Sequence, residues 1–338
     1  MRTESAISHR VVVPTPYRVG PANVYVLDEG PLTLFDCGPN TPATMNALRL
    51  GLAQLGLAVE QVARVVISHG HPDHYGLAPA IQAASGARVF VGEHDLPKIN
   101  ERRTMFETGA LLMETGIPMD VLVDMGERDR KMGDLHPRIE DAVPLSGGER
   151  FAFDHFTLEA MHLPGHTSGH ICLLEPERRI LFAGDTLLLH ISPNPLLEPT
   201  PDDPTVRRKS LVEYLGTLDV LESLDLAEVW PGHGEPILDP AVTIRQIKEH
   251  HRDRKERLAE RLDGEGKSPF QLAREMWRNL EGFDNFLAVS EVVAHLDLLE
   301  LEGRAEQVTR DGVAFYRRRT PPGASELAGA SEPAADAG

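Results

Sequence analysis

Residues 66–76 read VISHGHPDHYG, which sets His69, His71, Asp73 and His74 within six positions directly after the apolar run ARVVI. Imidazole and carboxylate side chains are ligands for divalent cations such as zinc, iron and manganese. Here they crowd where a strand gives way to a turn containing Gly70 and Pro72. A lone histidine at such a place is usually a hydrogen-bonding turn residue. Three further segments tip the balance: HLPGHTSGH carries His166, LFAGDTLL carries Asp185 and VWPGHGEP carries His233, each after a strand-like run and a small residue. Buried imidazoles need partners and strand ends do not ask for them, so this recurrence is hard to read as structure alone. No cysteine stands at these strand ends, which leaves nitrogen and oxygen as the donors.

The elements that must position these residues alternate. Paired strands fill the first 38 residues, a helix spans about Thr41 to Leu55, and the next strand carries the histidine motif. A helix over 75–85 and a strand over 87–92 continue the alternation of a layered α/β fold. Residues 93–135 break the rhythm with five of the nine methionines, Met105, Met113, Met119, Met125 and Met132, in a mainly helical stretch. It reads as an inserted helical pair. Met105, Leu112 and Met113, with Phe106 and Leu111, are candidates for a lid over an acyl chain, methionine being adaptable apolar surface. Packing of the two helices against each other accounts for them equally well. β character returns from 149, the proline-rich 191–205 is irregular, a helix covers 206–222, and a short strand precedes His233. The catalytic domain is thus placed at 1–240. A charged helix over about 240–263, two more helices and a hairpin with an Asp311-Gly312 turn suggest a small winged-helix-like domain within 241–319. Residues 320–338 lack the apolar content for a core and are expected to be a disordered tail.

The run from His69 to His74, followed in order by His166, Asp185 and His233, resembles the metallo-β-lactamase-fold hydrolases, and Asp36 of LFDCG matches that superfamily's early aspartate. The resemblance covers about residues 10–240 and is most similar to the glyoxalase-II-like branch, some members of which carry a winged-helix-like C-terminal addition. It implies an α/β fold, the αββα sandwich, with a helical insertion. It also implies that His69, His71 and His166 hold one metal, that Asp73, His74 and His233 hold a second, and that Asp185 bridges them. Asp36 would hydrogen-bond behind a ligating imidazole. Two divalent ions, zinc foremost and iron or manganese also suited, would share a hydroxide, because coordination lowers the pKa of water to about 7. Asp73 would both ligate and orient that nucleophile. His170, four residues after His166, is expected to pack or to support a ligand. His155, His162 and His190 carry no motif, and His250 and His251, in the charged helix, are expected to be solvated.

These features define a reaction class better than a substrate. Hydrolysis of a thioester or ester of a small acyl compound leads. RNA or phosphodiester cleavage, iron-dependent sulfur dioxygenation and a non-enzymatic binding module are the alternatives. Charge speaks against nucleic acid. Of the formal net −18, residues 1–240 carry −15, with 19 Lys and Arg against 34 Asp and Glu, and such a body repels phosphate backbones. Residues 241–319 are neutral. The 338 residues exceed one average domain, and no apolar stretch approaches the roughly 20 residues that span a bilayer. No signal peptide is evident, and Cys37 and Cys172 make no disulfide framework. The expectation is a cytoplasmic enzyme acting on a small molecule, away from membranes, with a homodimer left open.

Overall fold

Apolar runs without helical periodicity form strands buried on both faces, as a sheet covered on each side requires. In the computed structural model, which describes residues 7–100, 105–131, 133–203 and 205–319, such strands make two sheets. β1 (His9–Val13), β2 (Ala22–Leu27) and β3 (Thr33–Phe35) run antiparallel. They continue in parallel through β4 (Arg64–Val66), β5 (Arg88–Gly92) and β6 (Val143–Leu145). The second sheet holds β7 (Arg150–Ala152), β8 (Thr157–His162), β9 (Ile171–Glu175), β10 (Ile180–Gly184) and β11 (Glu228–Pro231). Only the pairing of β10 with β11 is parallel in this sheet.

Helices cover the outer faces. α1 (Pro42–Gln54) starts at Thr41, whose hydroxyl accepts from the Thr44 amide, and Pro42 occupies its first turn. The single turn α2 (Pro72–Tyr75) and α3 (Ala78–Ser85) follow β4. Side chains alternate between two cores along each strand. Tyr25, Leu27, Phe35, Val66 and Phe90 meet Leu158, Leu173 and Phe182 between the sheets. Their neighbours Val24, Val26, Leu34 and Val65 face Leu48, Leu52 and Ile81 of α1 and α3. On the far side Cys172, Leu181 and Val229 meet Leu211 and Leu218 of α7 (Ser210–Ser223). The layer order is α, β, β, α, as the resemblance implies.

The segment after β5 contains α4 (Leu96–Asn100), α5 (Met105–Glu114) and α6 (Met119–Lys131). The chain ends in α8 (Pro240–Ala259), α9 (Pro269–Met276), α10 (Phe283–Leu301) and the hairpin of β12 (Ala305–Arg310) and β13 (Val313–Arg318). Asp311 and Gly312 turn that hairpin with φ of 50° and 79°, the positive pair that the right-handed strand twist favours. The expected tail at 320–338 lies outside the described residues, as do the side chains of Met105 and Phe106.

Two expectations need correction. Leu112 is fully buried in a core with Leu111, Met125, Leu258, Leu272 and Val289, so it joins α5 to the C-terminal helices instead of lining a lid. Met113, next to it, is half exposed. His250 is exposed as expected, but His251 is buried. The reason is helical phase: Ile244, Ile247 and His251 fall on the inward face of α8. Leu112→Ala should therefore cost about 2–5 kcal/mol of stability, as core leucine deletions do. Met113→Ala should stay within about 0.5 kcal/mol. Denaturant unfolding of both variants checks the contrast.

Candidate metal centre

All seven expected ligands come to one end of the sandwich. His69 and His71 follow β4, Asp73 and His74 lie in α2, His166 sits between β8 and β9, and Asp185 and His233 follow β10 and β11. His71 Nδ1 lies 2.9 Å from His69 Nε2 and 3.1 Å from His166 Nε2. Beside this trio, His74 Nε2 is 3.9 Å from Asp73 Oδ1 and 3.6 Å from Asp185 Oδ1. His233 Nε2 is 3.5 Å from Asp73 Oδ2 and 3.6 Å from Asp185 Oδ2. Asp185 Oδ2 is also 4.0 Å from His166 Nε2, so its carboxylate faces both groups.

Bonds behind four of the five rings, all but that of His71, fix which nitrogens carry protons. Asp36 Oδ2 accepts from the Ser68 hydroxyl and from His74 Nδ1, each at 2.8 Å, and Ser68 Oγ accepts from His69 Nδ1 at 2.9 Å. The Asn194 carbonyl accepts from His166 Nδ1 at 3.2 Å and the Pro21 carbonyl from His233 Nδ1 at 2.9 Å. In each neutral ring the opposite nitrogen is then a lone pair. The bare Nε2 atoms of His69 and His166 both point at His71 Nδ1, and His74 Nε2, His233 Nε2 and Asp185 Oδ1 are buried without a hydrogen-bond partner. Buried polar atoms are nearly always paired, and a divalent cation is the partner that fits these donors. The surroundings leave little slack. A Cβ on Gly232 would stand 2.4 Å from Asp185 Oδ1 and 2.7 Å from His74 Cε1. Asp36 holds a φ of 60°, which aspartate tolerates better than most residues.

Electrostatics separates the two groups. Burial, reinforced by neighbouring imidazoles, holds His69 and His71 well below the ordinary histidine pKa. Burial also lowers His166, against the pull of Asp185. At His74 burial is outweighed by Asp185, Asp73 and Asp36, and at His233 by Asp185 and Asp73, so both are raised. Burial would lift Asp73 and Asp185, but His74 at the first and His233 and His74 at the second keep both carboxyls below their usual range. The first group is thus a neutral triad, while the second takes up protons that a cation would displace.

His170 supports this arrangement from outside it. Its ring stacks on His69 with centroids 4.9 Å apart, and its Nε2 accepts the Asp185 amide at 3.2 Å. Burial and the nearby His166 push its pKa down to about 3. Asp95, absent from the expected set, is a fully buried carboxylate that accepts from Gly70 N and Thr167 Oγ1 at 2.7 Å and from Gly169 N at 2.9 Å. It ties the His69–His74 loop to the His166 loop. Its signal stands in VGEHD, a further strand end with an acidic residue.

Known proteins resemble this chain. A family model described as the metallo-beta-lactamase superfamily matches residues 17–233, and the chain belongs to that superfamily. Over 327 residues it is 32% identical to the probable metallo-hydrolase YqjP of Bacillus subtilis (strain 168), covering 94% of this chain and 99% of that one. The crystal structure of the metallo-beta-lactamase family protein TTHA1429 from Thermus thermophilus superposes with a TM-score of 0.79 at 31% identity, covering 93% of this chain and 99% of that one. A shorter stretch of 127 residues, 36% of this chain and 49% of the relative, is 29% identical to the hydroxyacylglutathione hydrolase GloC of Haemophilus influenzae (strain ATCC 51907 / DSM 11121 / KW20 / Rd). The protein is a metallo-hydrolase of this superfamily. Among the described residues no helix is long and apolar enough to cross a membrane.

Asp36→Ala removes the shared acceptor behind His74 and Ser68. Metal affinity is expected to fall about 10–100-fold, the usual cost of losing such a partner. Competition with a chromophoric chelator measures it, and an unchanged affinity would show that Asp36 does not support the ligands.

Proposed function

We propose that His69, His71 and His166 hold one divalent cation, that Asp73, His74 and His233 hold a second, and that Asp185 lies between them. The observation that carries this reading is the convergence of seven ligand-type side chains, among which His74 Nε2, His233 Nε2 and Asp185 Oδ1 are buried without a hydrogen-bond partner. When bound, such a pair activates water and polarises the oxygen of the bond to be broken. Asp73, whose two oxygens face His74 and His233, also accepts the hydrogen bond that aims the attacking water at the substrate. Zinc suits the nitrogen and oxygen donors, and iron and manganese are the competing ions.

The substrate on this reading is a thioester or ester of a small acyl compound. The GloC relative, similar over 36% of this chain, is named for hydrolysing hydroxyacylglutathione, and that likeness supports the reading. The acidic charge of residues 1–240 argues against RNA as the alternative. Two buried, unbridged cysteines, Cys37 and Cys172, suit the reducing cytoplasm. The helices and hairpin after residue 240 are read as a winged-helix-like addition.

Metal analysis of the purified protein, with a panel of acyl thioesters, esters, phosphodiesters and RNA, tests the proposal. The expected result is two cations per chain and thioester turnover that is lost on chelation and restored by the metal. Asp185→Ala should lose metal and turnover together. A stoichiometry fixed at one with undiminished turnover, or RNA cleavage without acyl turnover, would overturn it.

A further inference from the structure

Asn194 lies in the irregular segment between β10 and α7, and its backbone carbonyl takes the Nδ1 proton of His166 at 3.2 Å. Its side chain turns the other way, toward α10. Asn194 Nδ2 donates to the Leu287 carbonyl at 3.0 Å and to Glu291 Oε2 at 3.3 Å. Both partners are acceptors, so only the NH2 end of the amide can face them. Glu291 is buried, and its other oxygen accepts from the Arg254 guanidinium of α8 at 2.6 Å.

A parallel thread starts two residues earlier. Ser192 Oγ lies 2.6 Å from His251 Nε2, His251 Nδ1 lies 3.2 Å from His295 Nε2, and His295 Nδ1 donates to the Glu291 carbonyl at 2.7 Å. A carbonyl can only accept, so with neutral rings every proton along this thread is assigned: Ser192 donates to His251 and His251 donates to His295. Burial keeps both rings neutral, pushing His251 down to about 2 and His295 to about 4. Leu197 N adds a third attachment, donating to Ser290 Oγ at 3.1 Å. His251, Glu291 and His295 have the donor types of a metal site. Their atoms are already joined in this network, and the Arg254 cation stands against Glu291 where a metal would need to bind.

We infer that Asn194 and Glu291 are positioning residues for His166. Glu291 holds the Asn194 side chain, the Asn194 carbonyl then fixes the tautomer and plane of the His166 ring, and α10 so controls the grip of the His69–His71–His166 trio on its cation. This inference rests on the proposed reading of His166 as a metal ligand.

Asn194→Asp keeps the shape of the side chain but sets an acceptor against two acceptors. In cobalt(II) titrations followed by the ligand-field spectrum, it should weaken one of the two binding steps about 10–100-fold and leave the other unchanged. Glu291→Gln keeps one acceptor oxygen and should give a smaller shift of the same step. Arg207→Met serves as the control. It breaks the Arg207–Asp297 pair, two contacts of 2.6 Å that also fasten this segment to α10 without reaching His166. It should lower thermal stability and leave both binding steps as they are. Nitrogen-15 shifts of the His166 ring in metal-free protein give an independent readout, and the Nδ1-protonated tautomer should be lost in Asn194→Asp. Wild-type cobalt affinities together with a wild-type tautomer in that variant would overturn the inference, as would equal loosening by Arg207→Met. A wild-type chain that binds no cobalt, with the tautomer still responding to Asn194→Asp, would instead overturn the metal reading.

Discussion

The constraint on which this structure turns is that buried ligand-type atoms are made to face one another. Left free, the imidazoles of His69, His71 and His166 would rotate and hydrogen-bond to one another across gaps of about 3 Å. Two of the rings cannot, because their protons are engaged behind them, at Ser68 for His69 and at the Asn194 carbonyl for His166, so both bare nitrogens point at His71 Nδ1. The same device, with Asp36 and the Pro21 carbonyl, turns Nε2 of His74 and of His233 toward two carboxylates. Burial without partners costs free energy, so the site is a local weakness until a cation satisfies it. What the fold must supply is rigidity in the residues one step behind the candidate ligands.

That rigidity comes from a pinch between the sheets. Stacked sheets normally stand about 10 Å apart, yet at this end their backbones meet. Ile171 N, on β9, donates to the Ser68 carbonyl after β4 at 2.7 Å, and Asn23 N, on β2, donates to the Gly232 carbonyl after β11 at 2.8 Å. Side chains would prevent such an approach: a Cβ on Gly184, just before Asp185, would lie 2.5 Å from Ser68 Cβ, and one on Gly92 would lie 1.8 Å from the Gly169 carbonyl oxygen. Glycines at the strand ends therefore let two sheets close on one another, and the candidate ligands ride on the closed ends. Asp95 completes the closure by accepting amide protons from Gly70 and Gly169, one from each side of the pinch.

The chain shows its metal-ligand candidates so openly because each is a local pattern, an apolar strand followed at once by a small residue and a donor. Layer order is legible for a similar reason, since strands buried on both faces alternating with helices leave few arrangements. What the sequence hides is long-range. Nothing near Asn194 announces that its amide reaches residues almost a hundred positions later on α10. Asp95 looks like one more loop carboxylate until the loops it joins are seen together. His251 is disguised by its neighbours, because RQIKEHHRDRKERL reads as a solvated face unless the phase from Ile244 and Ile247 is followed. Leu112 misleads in the opposite sense: an apolar residue in an inserted helix invites a substrate, and the C-terminal helices claim it first.

Those C-terminal helices are built into the sandwich. Ile244 and Ile247 of α8 sit in the core under the second sheet, while Leu258 of the same helix sits in the core shared with α5; Ala294 and Leu296 divide α10 in the same way. α10 is buried nearly all round from Asn285 to Leu299, and a helix so placed should be apolar on every face. It nevertheless carries Ser290, Glu291, His295 and Asp297, and each meets a partner on the 192–208 segment or on α8. Such pairs add little net stability over apolar packing, but a buried group stripped of its partner costs about 1–3 kcal/mol. Their effect is on register. A slide of the 192–208 segment along α10 would break several of these pairs together, and those beside Asn194, at Leu287, Ser290 and Glu291, hold it where its carbonyl meets His166.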